Sequence, residues 1–514
     1  MPISPLPFSG AHWVDHIARH AFSIPDDVAI RFEGSSITWA DLHDRVRRLA
    51  AGFAAYGVGE GDRVAILTTN RPEFVETVIA ANALRAIAVP LNFRLAPAEV
   101  AYVLGDSGAA LIVTDPALEP LARAAIADDD QPPPVIVAGP EYEELIAAHE
   151  PAEPSDAIEE RDVALIMYTS GTTGRPKGAM LTHLNLLMQA ITAIRTTAGP
   201  GADAVALCNV PLFHIAGIGG MVPSLLLGVR TVIMPTGAFD AETTLGVIES
   251  EGVTGLFLVP AQWQLMCAHP DATRRTQSLN TITWGAAPAP VSLLEEMARV
   301  FPHANVLSAF GQTEMSPVTS VLEGDDAIRK MGSVGLRVPI IAARVVDEDM
   351  NDVEPGEVGE IVYRGPTLMA GYWNNREGTA EAFSGDWFHS GDLVRQDEDG
   401  FYYVVDRKKD MIISGGENIY CAEVENVLAG HDAVADVAVI GARHERWGET
   451  PVAVIVAADP AKPPTLEDLT EFTRDRLASY KKPTSIVVVD ELPRNAAGKV
   501  LKHELRDRYG AAPV

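Results

Sequence analysis

Short runs rich in β-branched and apolar residues punctuate this chain at 163–167, 205–210, 231–234 and 256–259, and helical stretches separate them. That alternation predicts an α/β architecture. The helix over 72–85 is the plainest, with Pro72 near its start and an apolar stripe at Phe74, Val78, Ala81 and Leu84. The stretches 128–134 and 151–156, rich in Asp and Pro, read as surface loops. Strands over 343–346 and 357–363 flank a turn-rich segment and predict a hairpin. After about Lys409 the pattern restarts, with strands at 435–440, 452–456 and 485–489 and helices at 422–428, 466–478 and 499–508. The chain therefore divides, on this reading, into a large domain over 1–408 and a small α+β domain over 409–514, of ordinary domain size.

A chain of 514 residues exceeds what one core usually fills, which agrees with that division. Hydrophobic residues make up 47% and charged residues 21%, as in an ordinary globular protein. The net charge of −30 argues against nucleic acid as a partner and is read as a solubility feature. Cys208, Cys267 and Cys421 are too scattered for a disulfide framework or a metal knuckle, so a reducing, cytoplasmic setting is expected. Residues 1–10 do not have the form of a signal peptide. The apolar run 215–229 is too short to span a bilayer and is interrupted by Gly217, Gly219, Gly220 and Pro223. It is expected to be a buried helix or a pocket wall, with peripheral membrane contact left open.

The strongest local signal is Tyr168-Thr-Ser-Gly-Thr-Thr-Gly-Arg-Pro-Lys-Gly178, placed after an apolar strand and before a helical stretch from about Leu184. Gly171, Gly174 and Gly178 let backbone N–H groups approach an anion. Thr169, Ser170, Thr172 and Thr173 add hydroxyl donors, and Lys177 a compact positive charge. Gly follows Lys177 where a Walker loop has Ser or Thr, so this is a phosphate loop of another kind.

The stretch resembles the core motif of the adenylate-forming superfamily of acyl-CoA synthetases, luciferases and peptide-synthetase adenylation domains. Further motifs of that family follow in order: Pro211-Leu-Phe-His-Ile-Ala-Gly217, Gly285-Ala-Ala-Pro288, Ala309-Phe-Gly-Gln-Thr-Glu314 and Gly371-Tyr-Trp. Then come Trp387-Phe-His-Ser-Gly-Asp392, Asp406-Arg-Lys-Lys-Asp410, Gly415-Gly-Glu-Asn-Ile419 and Pro493-Arg-Asn-Ala-Ala-Gly-Lys499. The resemblance covers nearly the whole chain, and its closest likeness is to actinobacterial fatty-acid-CoA ligases. It implies a large N-terminal domain of layered sheets and helices with a small β-barrel, and a small mobile α+β C-terminal domain.

The resemblance also assigns roles. Glu314, helped by Thr169, is the Mg²⁺ ligand, a part that a hard carboxylate oxygen suits. Thr169, Ser170, Gly171, Thr172, Thr173, Gly174 and Lys177 cradle the ATP phosphates. Gly285, Ala286 and Ala287 pass along the base edge, and Phe310 stacks on adenine, where the family usually has Tyr. Gly311, Gln312 and Thr313 complete that nucleotide wall, while Asp392 accepts from the ribose hydroxyls and Arg407 serves the ribose or phosphate side. Lys499 is the chief catalytic candidate, a cation bridging the acyl carboxylate and the α-phosphate. His214 stands where peptide-synthetase domains usually place Asp, which argues for a plain carboxylic acid over an amino acid. Ala216, Gly219 and Gly220 leave room for an acyl chain, although close helix packing explains them equally well. Cys421 replaces a common proline and is expected to be no nucleophile; His389, His431 and His444 lack metal-ligand spacing.

The implied activity is acid–thiol ligation in two half-reactions, with ATP, Mg²⁺ and coenzyme A. An acid and MgATP give acyl-AMP and pyrophosphate; the C-terminal domain then turns about Lys409, and the CoA thiolate takes the acyl group. The loop Gly415-Gly-Glu-Asn418 is to line the pantetheine tunnel, and Arg443, Lys481 and Lys482 are candidates for the CoA phosphates. A medium- or long-chain fatty acid is the leading substrate expectation, with aryl or sterol-derived acids behind it. Transfer to a carrier protein, light-emitting oxidation and a binding module without chemistry are the competing readings. The oligomeric state is open, a homodimer included.

Overall fold

The computed structural model describes residues 10–169, 175–197, 201, 203–285, 289–323, 326–415, 417–474, 476–494 and 500–510. They form two compact units, one of residues 1–342 and 364–387 and the other of residues 343–363 and 388–514.

Two large sheets build the first unit. One has six strands in the order Val135–Val137, Leu111–Thr114, Arg63–Leu67, Ile87–Pro90, Val163–Thr169, Lys177–Thr182. Its inner strands run parallel and are buried along their whole length at Leu111–Thr114 and Ile87–Pro90. Strands covered on both faces have no use for polar alternation, which is why these segments read as continuous apolar runs. The helix Pro72–Ala83 starts on its proline, whose missing N–H costs nothing in a first turn.

The other sheet has nine strands in the order Leu336–Arg337, Val318–Glu323, Asn305–Gly311, Thr281–Gly285, Gly255–Leu258, Val205–Cys208, Arg230–Ile233, Val28–Phe32, Ser35–Thr38. Its centre is parallel and each end closes with an antiparallel pair. Leu207, Leu258, Ile282 and Trp284 project into a core shared with the helices Ala241–Glu251, Pro260–Ala268 and Val291–Val300.

The helix expected from about Leu184 is present, but a strand that was not foreseen stands between it and the glycine-rich stretch. Val163–Thr169 and Lys177–Thr182 pair antiparallel, with Thr169 opposite Lys177, so the stretch joins the arms of a hairpin. The helix His183–Thr196 begins only after that second strand, where Thr182 and Asn185 cap it reciprocally. The run at 215–229 is the helix Ile215–Leu227, mostly buried and ended by left-handed Gly228. Among the described residues no helix is long and apolar enough to cross a membrane.

The second unit holds two smaller sheets. The predicted hairpin is present as Ala342–Val346 and Val358–Arg364, extended by Trp387–Gln396 and Tyr402–Arg407. The last sheet takes Glu417–Ile419, Ile412–Ser414, Gly448–Ala457 and Val434–His444 in that order, with Ser485–Val489 parallel to Gly448–Ala457. The helices Cys421–Leu428, Leu466–Phe472 and Lys502–Tyr509 accompany it. The second ends earlier than its pattern predicts, where the Thr473 hydroxyl turns back to the Leu469 carbonyl.

Candidate active site

Strand Asn305–Gly311 ends in a tight turn that carries Glu314. The Gln312 amide donates to the Pro317 carbonyl at 2.9 Å, and Thr313–Met315 makes one 3₁₀ turn between them. A methyl group on Gly311 would lie 1.8 Å from the Pro317 carbonyl oxygen, so the turn closes only over glycine.

Glu314 is buried. Its Oε1 accepts from the Thr169 hydroxyl at 3.3 Å and from the Tyr372 hydroxyl at 3.1 Å. Tyr372 arrives on a segment that lies against the hairpin's second strand. Ala370 and Trp373 donate to the carbonyls of Met180 and Gly178 at 2.9 and 2.7 Å, and Met180 donates to Gly371 at 2.9 Å. The Tyr372 amide is held by the Thr379 hydroxyl at 2.9 Å. Burial, then the Glu314 charge and its hydrogen bond, pushes the phenol's pKa far up, so Tyr372 stays a proton donor. The Lys177 ammonium sits 5.2 Å from the centre of the same ring.

Thr169, Lys177 and Glu314, assigned from sequence, are thus brought together, and Tyr372 joins them. Its sequence signal was the Gly371-Tyr-Trp motif, to which no role was attached. Oε2 of Glu314 has no hydrogen bond among the described residues. One carboxylate beside a hydroxyl suits Mg²⁺, which keeps several waters and takes its remaining ligands from phosphate. No cluster of three or more His, Cys, Asp or Glu fit to hold a metal occurs among the described residues.

The neighbouring strand ends at Gly285, opposite Ala309, where a methyl would meet the Ala309 carbonyl at 2.4 Å. Phe310 is half-buried on the strand that leads to Glu314. The Gln312 side-chain amide nitrogen is buried and lacks a hydrogen-bond partner among the described residues.

His214 caps the helix Ile215–Leu227, with Nδ1 accepting from the Ala216 amide at 3.2 Å. An accepting Nδ1 means a neutral ring with its proton on Nε2. The segment before it is fixed by Asn70, which donates to the Val210 carbonyl at 2.9 Å and accepts from the Leu212 amide at 2.8 Å. Phe213 meets Phe93 edge to face at 5.0 Å. Asn70 carried no sequence signal. Gly219 is explained by packing, since a methyl there would come within 2.9 Å of the Pro317 ring. Gly220 faces open space.

In the second unit Asp392 and Arg407 are cross-strand neighbours. Arg407 Nε reaches Asp392 Oδ1 at 2.7 Å, so the two candidates engage each other. Glu360, also buried, takes His389 Nδ1 at 2.9 Å, Lys408 Nζ at 3.0 Å and the Gly391 amide at 2.9 Å. Burial works against its charge, but these donors hold its pKa below the ordinary value. Cys421 donates its thiol to the Asp410 carbonyl at 2.9 Å, and burial pushes its pKa far up, which makes it an inert packing residue. Ser170, Gly171, Thr172, Thr173, Gly174, Ala286, Ala287 and Lys499 lie outside the described residues.

Residues 17–373 match the family of AMP-binding enzymes, and residues 423–499 match the AMP-binding enzyme C-terminal domain. The chain belongs to this family. It is 42% identical over 494 residues to a feruloyl-CoA synthase of Amycolatopsis, covering 96% of this chain and 98% of the relative. It is 38% identical to the indoleacetate–CoA ligase of Aromatoleum aromaticum, covering 96% and 97% of the two chains. Among solved structures, the o-succinylbenzoate CoA synthetase of Bacillus subtilis with its acyl-adenylate intermediate matches at a TM-score of 0.87 and 34% identity, over 97% and 99% of the chains. The same enzyme is known with ATP and a magnesium ion. As a member, the chain is an ATP-dependent acid–CoA ligase that works through an acyl adenylate, with MgATP, a carboxylic acid and CoA as its reactants.

Proposed function

We propose that the acid is an aryl acid. What supports this is that the relatives described above act, by their names, on ferulate, indoleacetate and o-succinylbenzoate, each with an aromatic ring. The fatty-acid expectation rested on likeness and on small residues, and packing accounts for Gly219 on its own.

In the proposed mechanism Glu314 and Thr169 would hold Mg²⁺, which would supply Lewis-acid neutralisation of the triphosphate. Tyr372 fixes the carboxylate by donating to Oε1. Phe310 stacks on adenine, Asp392 and Arg407 serve the ribose, and the loop 170–174 with Lys177 holds the phosphates. His214, neutral and fixed by its cap, suits a substrate without an ammonium group. The acid's carboxylate oxygen attacks the α-phosphorus and pyrophosphate leaves, with Lys499 neutralising the two approaching anions. The CoA thiolate then attacks the acyl carbonyl and AMP leaves. Domains over 1–408 and 409–514 that rotate about Lys409, and a cytoplasmic location, belong to the same proposal.

The test is thioester formation from ferulate, indoleacetate, o-succinylbenzoate, octanoate and palmitate under identical MgATP and CoA. An aromatic acid should exceed palmitate in kcat/KM by at least roughly tenfold, the scale of a few misplaced methylenes in a shaped pocket. Preference for palmitate or octanoate would overturn the aryl reading and leave the ligase chemistry standing.

A further inference from the structure

Asn70 sits on the loop 68–71, between the strand Arg63–Leu67 of the six-stranded sheet and the helix Pro72–Ala83. One side of this loop is braced within its own sheet. The Thr69 amide and hydroxyl both donate to Asp115 Oδ2, at 2.8 and 2.7 Å, and Asp115, itself buried, follows the neighbouring strand Leu111–Thr114. The other side reaches the nine-stranded sheet. Asn70, only 3% exposed, donates Nδ2 to the Val210 carbonyl at 2.9 Å and accepts the Leu212 amide on Oδ1 at 2.8 Å. Its backbone amide donates to the Thr236 hydroxyl at 2.8 Å. Val210 and Thr236 follow the parallel strands Val205–Cys208 and Arg230–Ile233. One residue thus gathers loops from the carboxyl ends of strands in both sheets, where α/β folds place their ligands.

What Asn70 grips is the segment that presents His214. The His214 amide donates to the Pro211 carbonyl at 3.1 Å, so residues 211–214 make a turn with the gripped Leu212 inside it. The turn lies close on the helix Ile215–Leu227 at Gly217, where a methyl would meet the Pro211 carbonyl at 2.4 Å. Its Phe213 ring rests on Phe93, from the segment after the strand Ile87–Pro90. A shift at Val210 or Leu212 therefore reaches the His214 ring within one turn. A carboxamide offers the donor and the acceptor that a carbonyl and an amide two residues apart require, whereas a carboxylate offers acceptors alone. Neither Asn70 nor Thr236 hydrogen-bonds to Thr169, Lys177, Glu314 or Tyr372 among the described residues.

We infer that Asn70 is a positioning residue for the acid substrate: its carboxamide fixes the turn 211–214 and with it the place of Phe213 and His214 in the acid pocket. This rests on the reading above that His214 lies beside the acid. Loosening Asn70 should then blur the choice among acids and leave the handling of MgATP as it was.

The test uses the full-length enzyme with Asn70→Ala, Asn70→Asp and Thr236→Val. Thioester formation is measured over the acid panel above at fixed MgATP and CoA, and then over MgATP at saturating acid. Both Asn70 variants should raise KM for the preferred acid by roughly tenfold or more, since small misplacement of a positioning group is costly. The kcat/KM ratio between the preferred and the poorest acid should shrink by about the same factor, while KM for MgATP stays within about twofold. Thr236→Val loosens the same loop with the carboxamide in place. It should shift acid KM and the ratio in the same direction, and it decides the matter if the Asn70 variants do not fold. A merely structural role lowers kcat for every acid by one factor; that result, an equal rise in both KM values, or no change overturns the inference. His214→Ala is run beside them. If it shifts the acid ratio and the Asn70 variants do not, the inference alone falls; if neither shifts it, the place of His214 beside the acid falls as well. The ratio is taken between whichever acids the wild type prefers and disfavours, so a preference for palmitate would sink the aryl reading and leave this test intact.

Discussion

The Tyr372 hydroxyl donates to Glu314 Oε1 at 3.1 Å, the same oxygen that receives the Thr169 hydroxyl at 3.3 Å. Two donors from distant segments converge on one carboxylate oxygen, while the other has no hydrogen bond among the described residues. The arrangement fixes the carboxylate that is proposed as the Mg²⁺ ligand.

Tyr372→Phe should therefore keep the fold but release the carboxylate. Adenylate formation is expected to fall by roughly tenfold, the loss of one charge-assisted hydrogen bond, and the Mg²⁺ concentration for half-maximal rate should rise. ATP–pyrophosphate exchange across a Mg²⁺ titration reads both. An unchanged Mg²⁺ dependence would show that Tyr372 does not orient the metal ligand.

Gly311 and Gly220 should respond oppositely to alanine. At Gly311 the new methyl meets a backbone oxygen at 1.8 Å, so the turn that carries Glu314 must shift. Overpacking costs about 1–3 kcal/mol or more, and the variant should melt several degrees lower with adenylation impaired. At Gly220, inside the helix Ile215–Leu227, nothing lies within 4 Å. Alanine there should hold or raise stability by up to ~1 kcal/mol through helix propensity. Thermal melts of the two variants decide it, and a large loss at Gly220 would contradict the open space.

Four histidines cluster in the first unit. His12, His16 and His183 are buried, and His20 is packed on Trp39 at 4.7 Å. Burial, with the Arg19 charge beside it, lowers His16 to about 3; burial, with His12 nearby, lowers His183 to about 3. The acidic groups around them, Asp15, Glu160 and Asp162, do not offset that. These folded values lie below the ordinary 6.5, so the unfolded chain binds more protons between about 3 and 6.5. Stability from these rings is complete above 6.5 and drains away as pH falls towards 3. The melting temperature of the wild type should drop through that window, and His183→Gln should flatten the drop. A parallel slope in the variant would remove His183 from the account.

Much of this was legible in the sequence, for reasons visible in particular residues. Thr169, Lys177 and Glu314 were singled out because each stands in a motif with a chemical requirement; the hairpin sets Thr169 opposite Lys177, and Glu314 joins them through the Thr169 and Tyr372 hydroxyls. The hairpin itself was missed. A glycine-rich stretch between an apolar strand and a helix reads as a strand-to-helix turn, and Lys177-Gly-Ala-Met-Leu-Thr182 has a single β-branched residue, unlike the runs that were read as strands. Tyr372 had a motif but no assigned partner, because its contact depends on residues 370–373 lying along that unseen strand. Asn70 serves two backbone groups near His214 from a remote loop, and nothing in its local sequence marks that. The substrate was least legible, since small residues such as Gly219 answer to packing as well as to pocket volume.

Asp406 sets up the last prediction. It is buried, with Oδ1 accepting the Arg407 amide at 2.7 Å and Oδ2 lacking any hydrogen bond among the described residues. Burial raises its pKa from 3.8 to about 6, although the Lys502 charge opposes this; Glu425 and Asp410 add to the rise. A folded value above the unfolded one means that the neutral acid stabilises the fold. Its contribution is fully present below 3.8 and is lost as pH rises through about 6. At pH 8 the ionised carboxylate then costs the fold up to ~3 kcal/mol. Asp406→Asn keeps an oxygen for the Arg407 amide and removes the charge. It should stabilise the unit at pH 8 and change little at pH 4, so that the difference in melting temperature grows with pH. Calorimetry across that range checks it, and a difference that stays constant would mean that Asp406 remains charged throughout.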